Sequence, residues 1–337
     1  MPGSDELDIM VGLRTDLEKP DWLSLLPGEG GIGVNLSSVK GFVTLREVVG
    51  DNGMIQGIRF EGSSDYVNVK NTIVSKKRGA KTRLNWEAVE ENETGISAVN
   101  QKNGVLVIIP KEAIRPAIRS ASGVSHMELK EIFDYVVNDR FLNDGFFWDE
   151  KDPDKVLAKR KPHLLTREGR LLIAGRNHIG LTSDGTYFVA FCAERPIVPT
   201  WNFWSVKVGD ADDARIICLW LNSIFSLATL YDIRIAGEGA YVGWLKSDLM
   251  NMRVPDVRSM PLETKQKLLD LFNELERADL PSLIDQLRTK EGLRFETDFE
   301  LARVLELPRY SEREALSDLY SRVISKFELL EELQAIK

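Results

Sequence analysis

The feature that most constrains this chain is a change of texture at Pro261. Before it, apolar residues come in short runs broken by Gly, Pro, Asn and Asp, the pattern of strands and turns. After it, Leu262, Leu268, Leu269, Leu271, Phe272 and Leu275 recur at helical spacing, and Leu283, Ile284 and Leu287 resume beyond Pro281. Leu316, Leu319, Tyr320, Val323, Ile324, Phe327 and Leu330 then form one stripe, with Ser311 and Glu314 spaced as a capping box before it. No strict heptad persists, so these helices are expected to pack on the rest of the chain or on a partner. The chain reads as α+β: an N-terminal extension or linker at 1–39, a mixed, β-rich domain at 40–260, and an amphipathic helical region at 261–337.

Within 40–260 the expected strands are Phe42 to Leu45, Met54 to Phe60 with a bend at Gly57, and Val105 to Ile109, a continuous apolar run suited to a buried strand and ended by Pro110. Others are expected at Leu171 to Ala174, Tyr187 to Phe191 and Phe203 to Val208. A carboxylate in the turn 209–213 is expected to cap a helix beginning near Ala214. Ile216 to Tyr231 is charge-free, but Asn222, Ser223, Ser226 and Thr229 interrupt it and it is short for a bilayer, so it reads as a buried helix and no membrane is expected.

Charge bears directly on partners. The formal net charge is -8 at pH 7, which opposes nucleic-acid binding, yet the acid is concentrated at the two ends of the chain. Residues 70–86 hold Lys70, Lys76, Lys77, Arg78, Lys81 and Arg83 with no acid, and residues 151–180 are strongly basic. Two such runs are compatible with DNA binding and equally with solvated loops. Cys192 and Cys218 sit in apolar runs with no second pair, which argues against a disulfide framework or zinc site. With the acidic N-terminal residues around Asp5 and Glu6, which form no apolar signal core, this points to a cytoplasmic setting.

Catalytic signatures are missing. There is no Pro-Pro pair to build the Asn/Asp/Ser-Pro-Pro-aromatic loop that grips an extruded adenine, and no Phe-x-Gly-x-Gly strand end for a methyl-donor cofactor. Gly28, Gly30 and Gly33 match a dinucleotide fingerprint in letters, but Pro27 precedes them and no helix clearly follows, so they read as a loop. Glu128-Leu129-Lys130 and Glu263-Thr264-Lys265 fit the Glu-x-Lys of metal-dependent nucleases, but both read as helical and neither follows a suitably spaced aspartate on a strand. His126, His163 and His178 lack ligand spacing.

One resemblance rests on order. Leu171-Leu172-Ile173-Ala174-Gly175-Arg176-Asn177, then Gly180 to Asp184, Tyr187 to Phe191, Asn202 to Val206, Leu221-Asn222-Ser223, Gly237 to Tyr241 and the exit at Val254-Pro255 succeed one another as in the C-terminal specificity domain of TaqI-like N6-adenine DNA methyltransferases. More distantly, the order resembles type I restriction specificity subunits. Upstream, Val107 to Ser120 resembles the segment that closes the family's first sheet, and Leu45 to Val49 its opening strand. The family's catalytic domain would precede residue 40 and is not in this sequence, so the resemblance implies either part of a longer polypeptide or a separate specificity subunit.

The resemblance implies double-stranded DNA and a methyltransferase catalytic domain or subunit as partners. It implies no cofactor in this chain, S-adenosylmethionine belonging to the catalytic partner. The candidate DNA-binding residues are Lys76, Lys77, Arg78, Lys81 and Arg83 in one loop, Arg160, Lys161 and His163 in another, Arg176, Asn177 and His178 after a strand, and Tyr241 between glycines. Guanidinium and amide groups fit guanine and adenine edges, and lysines fit phosphates. Against this, the first loop reads equally as a solvated hairpin, Asn177 as a turn residue, and Trp201 and Trp204 as core. The competing functions are an interaction or scaffold domain without DNA binding, and a nuclease or transferase with an unrecognised site.

Overall fold

The computed structural model describes residues 39–57, 66–68, 86–100, 106–111, 114–118, 123–130, 134–137, 167–178, 186–236 and 241–335, with isolated positions between them. Strand β1 (Phe42–Thr44) runs directly into helix α1 (Leu45–Val49). Leu45 to Val49 is therefore helix where the resemblance implied a strand. The reason is a capping box: Thr44 Oγ1 accepts from the Glu47 N–H at 3.2 Å, and Glu47 Oε2 accepts from the Thr44 N–H at 2.6 Å.

Eleven further strands follow before the first long helix. They are β2 (Met54–Gln56), β3 (Tyr66–Asn68), β4 (Trp86–Glu91), β5 (Gly95–Asn100), β6 (Leu106–Pro110), β7 (Ile114–Ile118), β8 (Asp134–Val137), β9 (Gly169–Ala174), β10 (Arg176–His178), β11 (Ala190–Pro199) and β12 (Phe203–Val206). Ten of the strands form one mixed sheet in the order β2-β12-β9-β11-β7-β8-β3-β4-β5-β6. It is parallel only at β11 with β7 and at β3 with β4. Strand bounds differ from the sequence expectation: β1 stops at Thr44, β2 stops at Gln56 before Gly57, with 58–60 outside the described residues, and β9 begins at Gly169. β11 starts at Ala190 rather than Tyr187 and extends to Pro199 through a register shift at the exposed residues 194–196. β12 ends at Val206. β6 includes Pro110, and its apolar run is two-faced, with Ile109 buried and Leu106 and Ile108 exposed.

Helix α2 (Ala211–Asn222) begins where Asp210 accepts from the N–H groups of Asp212 and Asp213, three residues before the expected start at Ala214. The apolar stretch beyond Ile216 is buried as expected, but it breaks into α2 and α3 (Ile224–Asp232), bent by 65°. Ser223 makes the break by donating to the Trp220 carbonyl and capping α3 through Ser226 N–H. No single helix among the described residues is long and apolar enough to cross a membrane. The chain continues through β13 (Ile235–Ala236), β14 (Tyr241–Gly243), α4 (Lys246–Asn251) and β15 (Arg253–Pro255), which pairs back on β1.

The C-terminal helices are α5 (Leu262–Arg277), α6 (Leu283–Arg288), α7 (Leu293–Val304) and α8 (Arg313–Ala335). Their stripe is largely as read: Leu268, Phe272, Leu275, Leu316, Leu319, Tyr320 and Val323 are buried, whereas Leu262 stands exposed. Ser311 caps nothing here. It lies in a short 3-10 turn (Pro308–Ser311) and donates to the Leu307 carbonyl, and α8 starts at Arg313.

The apolar core runs without interruption across residue 261 and joins β9, β11 and β12 through α2 and α3 to α5, α7 and α8. Polar pins cross it. Asn222 accepts from the N–H groups of Val189 and Ala190 and donates to the carbonyls of Ala190 and Cys218, so all its bonding positions are used. Asp298 of α7 accepts from the Ile224 N–H at the start of α3 and from the Tyr320 hydroxyl at 2.5 Å. Glu276 of α5 accepts from the N–H groups of Met127 and Glu128, and Glu128 in turn takes the Arg215 guanidinium of α2. Glu128 to Lys130 is thus an irregular segment bridged to Cys192, not the helix expected.

Candidate nucleic-acid interface

Four of the candidate residues meet on a small sheet outside the large one. β10 leaves β9 through Gly175, and pairs antiparallel with β14 instead of continuing along the large sheet. In register, Arg176 stands opposite Gly243, Asn177 opposite Val242, and His178 opposite Tyr241. β13 adds on the far side of β14, with Ile235 opposite Gly243 and Ala236 opposite Val242. Residues about sixty positions apart in the sequence, which sequence reading could only group by chemistry, are therefore neighbours on one three-stranded platform.

Local contacts fix where that platform leaves the core. Gly175 donates to the Asn202 carbonyl at 2.7 Å, and a Cβ there would lie 3.0 Å from the indole of Trp204. The chain can pass over the indole at this distance because residue 175 has no side chain. Just after the central strand, Trp244 Nε1 donates to the Leu230 carbonyl at 2.8 Å and ties the end of β14 to α3. Arg234, just before β13, lies over the Tyr231 ring at 3.7 Å and donates to the Tyr231 carbonyl at 2.6 Å, placing a cation at the C-terminal end of α3. Trp204 is half-buried against the core, as read from the sequence, whereas Trp201, read as core too, is exposed.

The remaining candidates, Lys76, Lys77, Arg78, Lys81, Arg83, Arg160, Lys161 and His163, lie outside the described residues. The first run falls between β3 and β4 in the sequence. The second run falls between β8 and β9.

Several basic side chains that do lie among the described residues serve the fold. Arg167 donates to the carbonyls of Gln56 and Gly57, Arg170 to the carbonyl of Glu194, and Arg115 pairs with Glu168 at 3.4 Å. Burial pushes the Glu168 carboxyl up, against the pull of Arg115. Burial likewise raises Glu276, opposed by the N–H groups it accepts from and by His126 and Lys130. It also raises Asp298, opposed by Arg294 and Tyr320. These buried carboxylates escaped sequence reading, since nothing in a helical stripe marks which acid faces inward. Among the described residues, no group of three or more His, Cys, Asp and Glu side chains could hold a metal ion.

No protein-family profile matches the chain, and no curated protein matches it. Among solved structures it is similar to one described as the type IIG restriction endonuclease BpuSI, with a TM-score of 0.43 and 12% identity over 84% of this chain and 33% of that one. The chain thus spans about a third of the length of that structure, at 33%.

Proposed function

We propose that this chain is a sequence-specific double-stranded DNA recognition module of a restriction-modification N6-adenine methyltransferase, positioning DNA for a catalytic domain or subunit. In this reading S-adenosylmethionine is bound by that partner and not by the residues described above. The observation that carries the proposal is the register of the small sheet. It draws Arg176, Asn177 and His178 together with Tyr241 on a platform that departs from the main sheet at Gly175.

The residue types fit the task. Arginine bonds guanine O6 and N7 through a planar fork, asparagine bonds adenine N6 and N7 through its amide, and a short β-ribbon is narrow enough to enter a major groove. The order of segments from Leu171 to Pro255, similar to that of TaqI-like specificity domains, supports the same reading. The two basic runs would supply phosphate contacts that set register without reading sequence.

The test is selection from a pool of random duplexes by the purified chain, alone and with its catalytic partner. One enriched motif is expected. Arg176→Ala and Asn177→Ala should each relax the motif at one position and weaken the preferred duplex by about 1–3 kcal/mol. Recovery of an unenriched pool, or variants that retain the full motif, would overturn the assignment.

A further inference from the structure

The far end of the ten-stranded sheet carries a second surface whose chemistry is opposite to that expected of a DNA face. Among the described residues β6 is the last strand of the sheet. The N–H of Lys111 donates to the Thr94 carbonyl of the β4–β5 turn, so the N–H groups of Ile109 and Val107, of the same parity, also face β5. Those of Leu106 and Ile108 face outward, and Pro110, which has no N–H, occupies the next outward position. Gly95 lets β6 come this close, because a Cβ there would collide with the Ile109 carbonyl oxygen.

Side chains reinforce the backbone. Ile108, Ser97 and Glu90 stand in one cross-strand row, and Leu106 and Val99 in the next. Ile108 is 62% exposed, Leu106 59%, and Val89, at the irregularity in β4, 65%. Ile96, Ala98 and Ile109 close the opposite face. Residues 86–100 contain Glu87, Glu90, Glu91 and Glu93 and no lysine or arginine; Glu90, in the row of Ile108, and Glu93, in the β4–β5 turn, are exposed, while Glu91 falls in the row of Ile96 and Ile109. Natural edge strands are usually blunted by charge on the strand itself, which β6 lacks between Leu106 and Pro110.

We propose that β6 and its open face dock an extended segment of a partner protein that is apolar at alternate positions and flanked by lysine or arginine. Strand addition would satisfy the outward N–H and carbonyl groups of Leu106 and Ile108, the alternate apolar side chains would cover those two residues, and Glu90 and Glu93, across the sheet from the added strand, would attract its basic flanks at low salt. The same glutamates disfavour the other occupants. A DNA backbone would be repelled, and a second copy would bring acid against acid.

The probes are two fluorescein-labelled peptides alternating valine and threonine, one ended by paired lysines and one by paired glutamates, followed by anisotropy with the full chain at low salt. The lysine-ended peptide is expected to bind about tenfold more tightly and to slow hydrogen exchange at the Leu106 and Ile108 amides. Ile108→Lys should abolish binding. Because that variant could fold poorly, the double change Glu90→Lys and Glu93→Lys, at exposed sites, provides an independent arm and should reverse the preference. Binding of neither peptide, or no preference between them, would overturn the proposal. So would a dimer of the chain dissociated by Ile108→Lys, or duplex binding that the same change removes.

Discussion

The two ends of the ten-stranded sheet use similar apolar residues to different effect. At the β12-β9-β11 end, Leu171, Leu172, Ile173, Phe191 and Phe203 are all buried, and α2, with the C-terminal helices behind it, packs on β9 and β11. At the β4-β5-β6 end, Ile96, Ala98 and Ile109 are covered, while Val89, Leu106 and Ile108 face solvent. Hydrophobicity along a strand thus states only that one face must be covered. Which face, and by what, is decided by elements distant in sequence.

Removing the pin at the closed end has the largest expected effect. Asn222→Ala leaves buried backbone groups of Val189, Ala190 and Cys218 without their partner, and urea unfolding should register a loss of about 3 kcal/mol or more. Glu276→Ala should cost about 2 kcal/mol by stranding the N–H groups of Met127 and Glu128, whereas Glu276→Gln keeps an acceptor and should cost less.

The glutamine variant also sharpens the pH dependence. Burial raises the folded-state value of Glu276 above the ordinary carboxylate range, so its contribution to stability is fully present below that range and is lost as pH rises through the elevated value. Thermal melts of Glu276→Gln should lose that part of the slope, leaving the parts due to Asp298 and Glu168, whose carboxyls are shifted the same way. A slope unchanged in the variant would show that Glu276 does not titrate in this window.

Smaller effects are expected further from the closed end. Thr44→Ala opens the capping box of α1 and should cost about 1 kcal/mol in the same unfolding assay. Ile108→Ser on the open face should change stability by less than about 0.5 kcal/mol. A larger loss there would mean that the open end is closed in solution.

What the sequence made legible follows the same division. The α+β class, the helical stripe after Pro261, the acidic cap before α2 and the buried stretch beyond Ile216 were readable, because each depends on periodicity or on a residue acting within one turn of itself. Leu45 to Val49 is a helix and not the strand that the resemblance implied, because the Thr44–Glu47 pair, itself a readable signal, caps it. Ser311 misled in the opposite sense, its box taken over by a 3-10 turn. Arg176, Asn177, His178 and Tyr241 could be named by chemistry, but their pairing depends on a strand that changes sheets at Gly175, which no local pattern encodes.

The central claim concerns DNA, and salt tests it most directly. Duplex binding by the intact chain, alone and with a catalytic partner, should be measured by anisotropy across a salt series. Measurable affinity is expected at low salt, falling linearly on a log-log scale by on the order of a thousandfold between about 50 and 200 mM. Absence of duplex binding at low salt in both settings, or an affinity indifferent to salt, would contradict it.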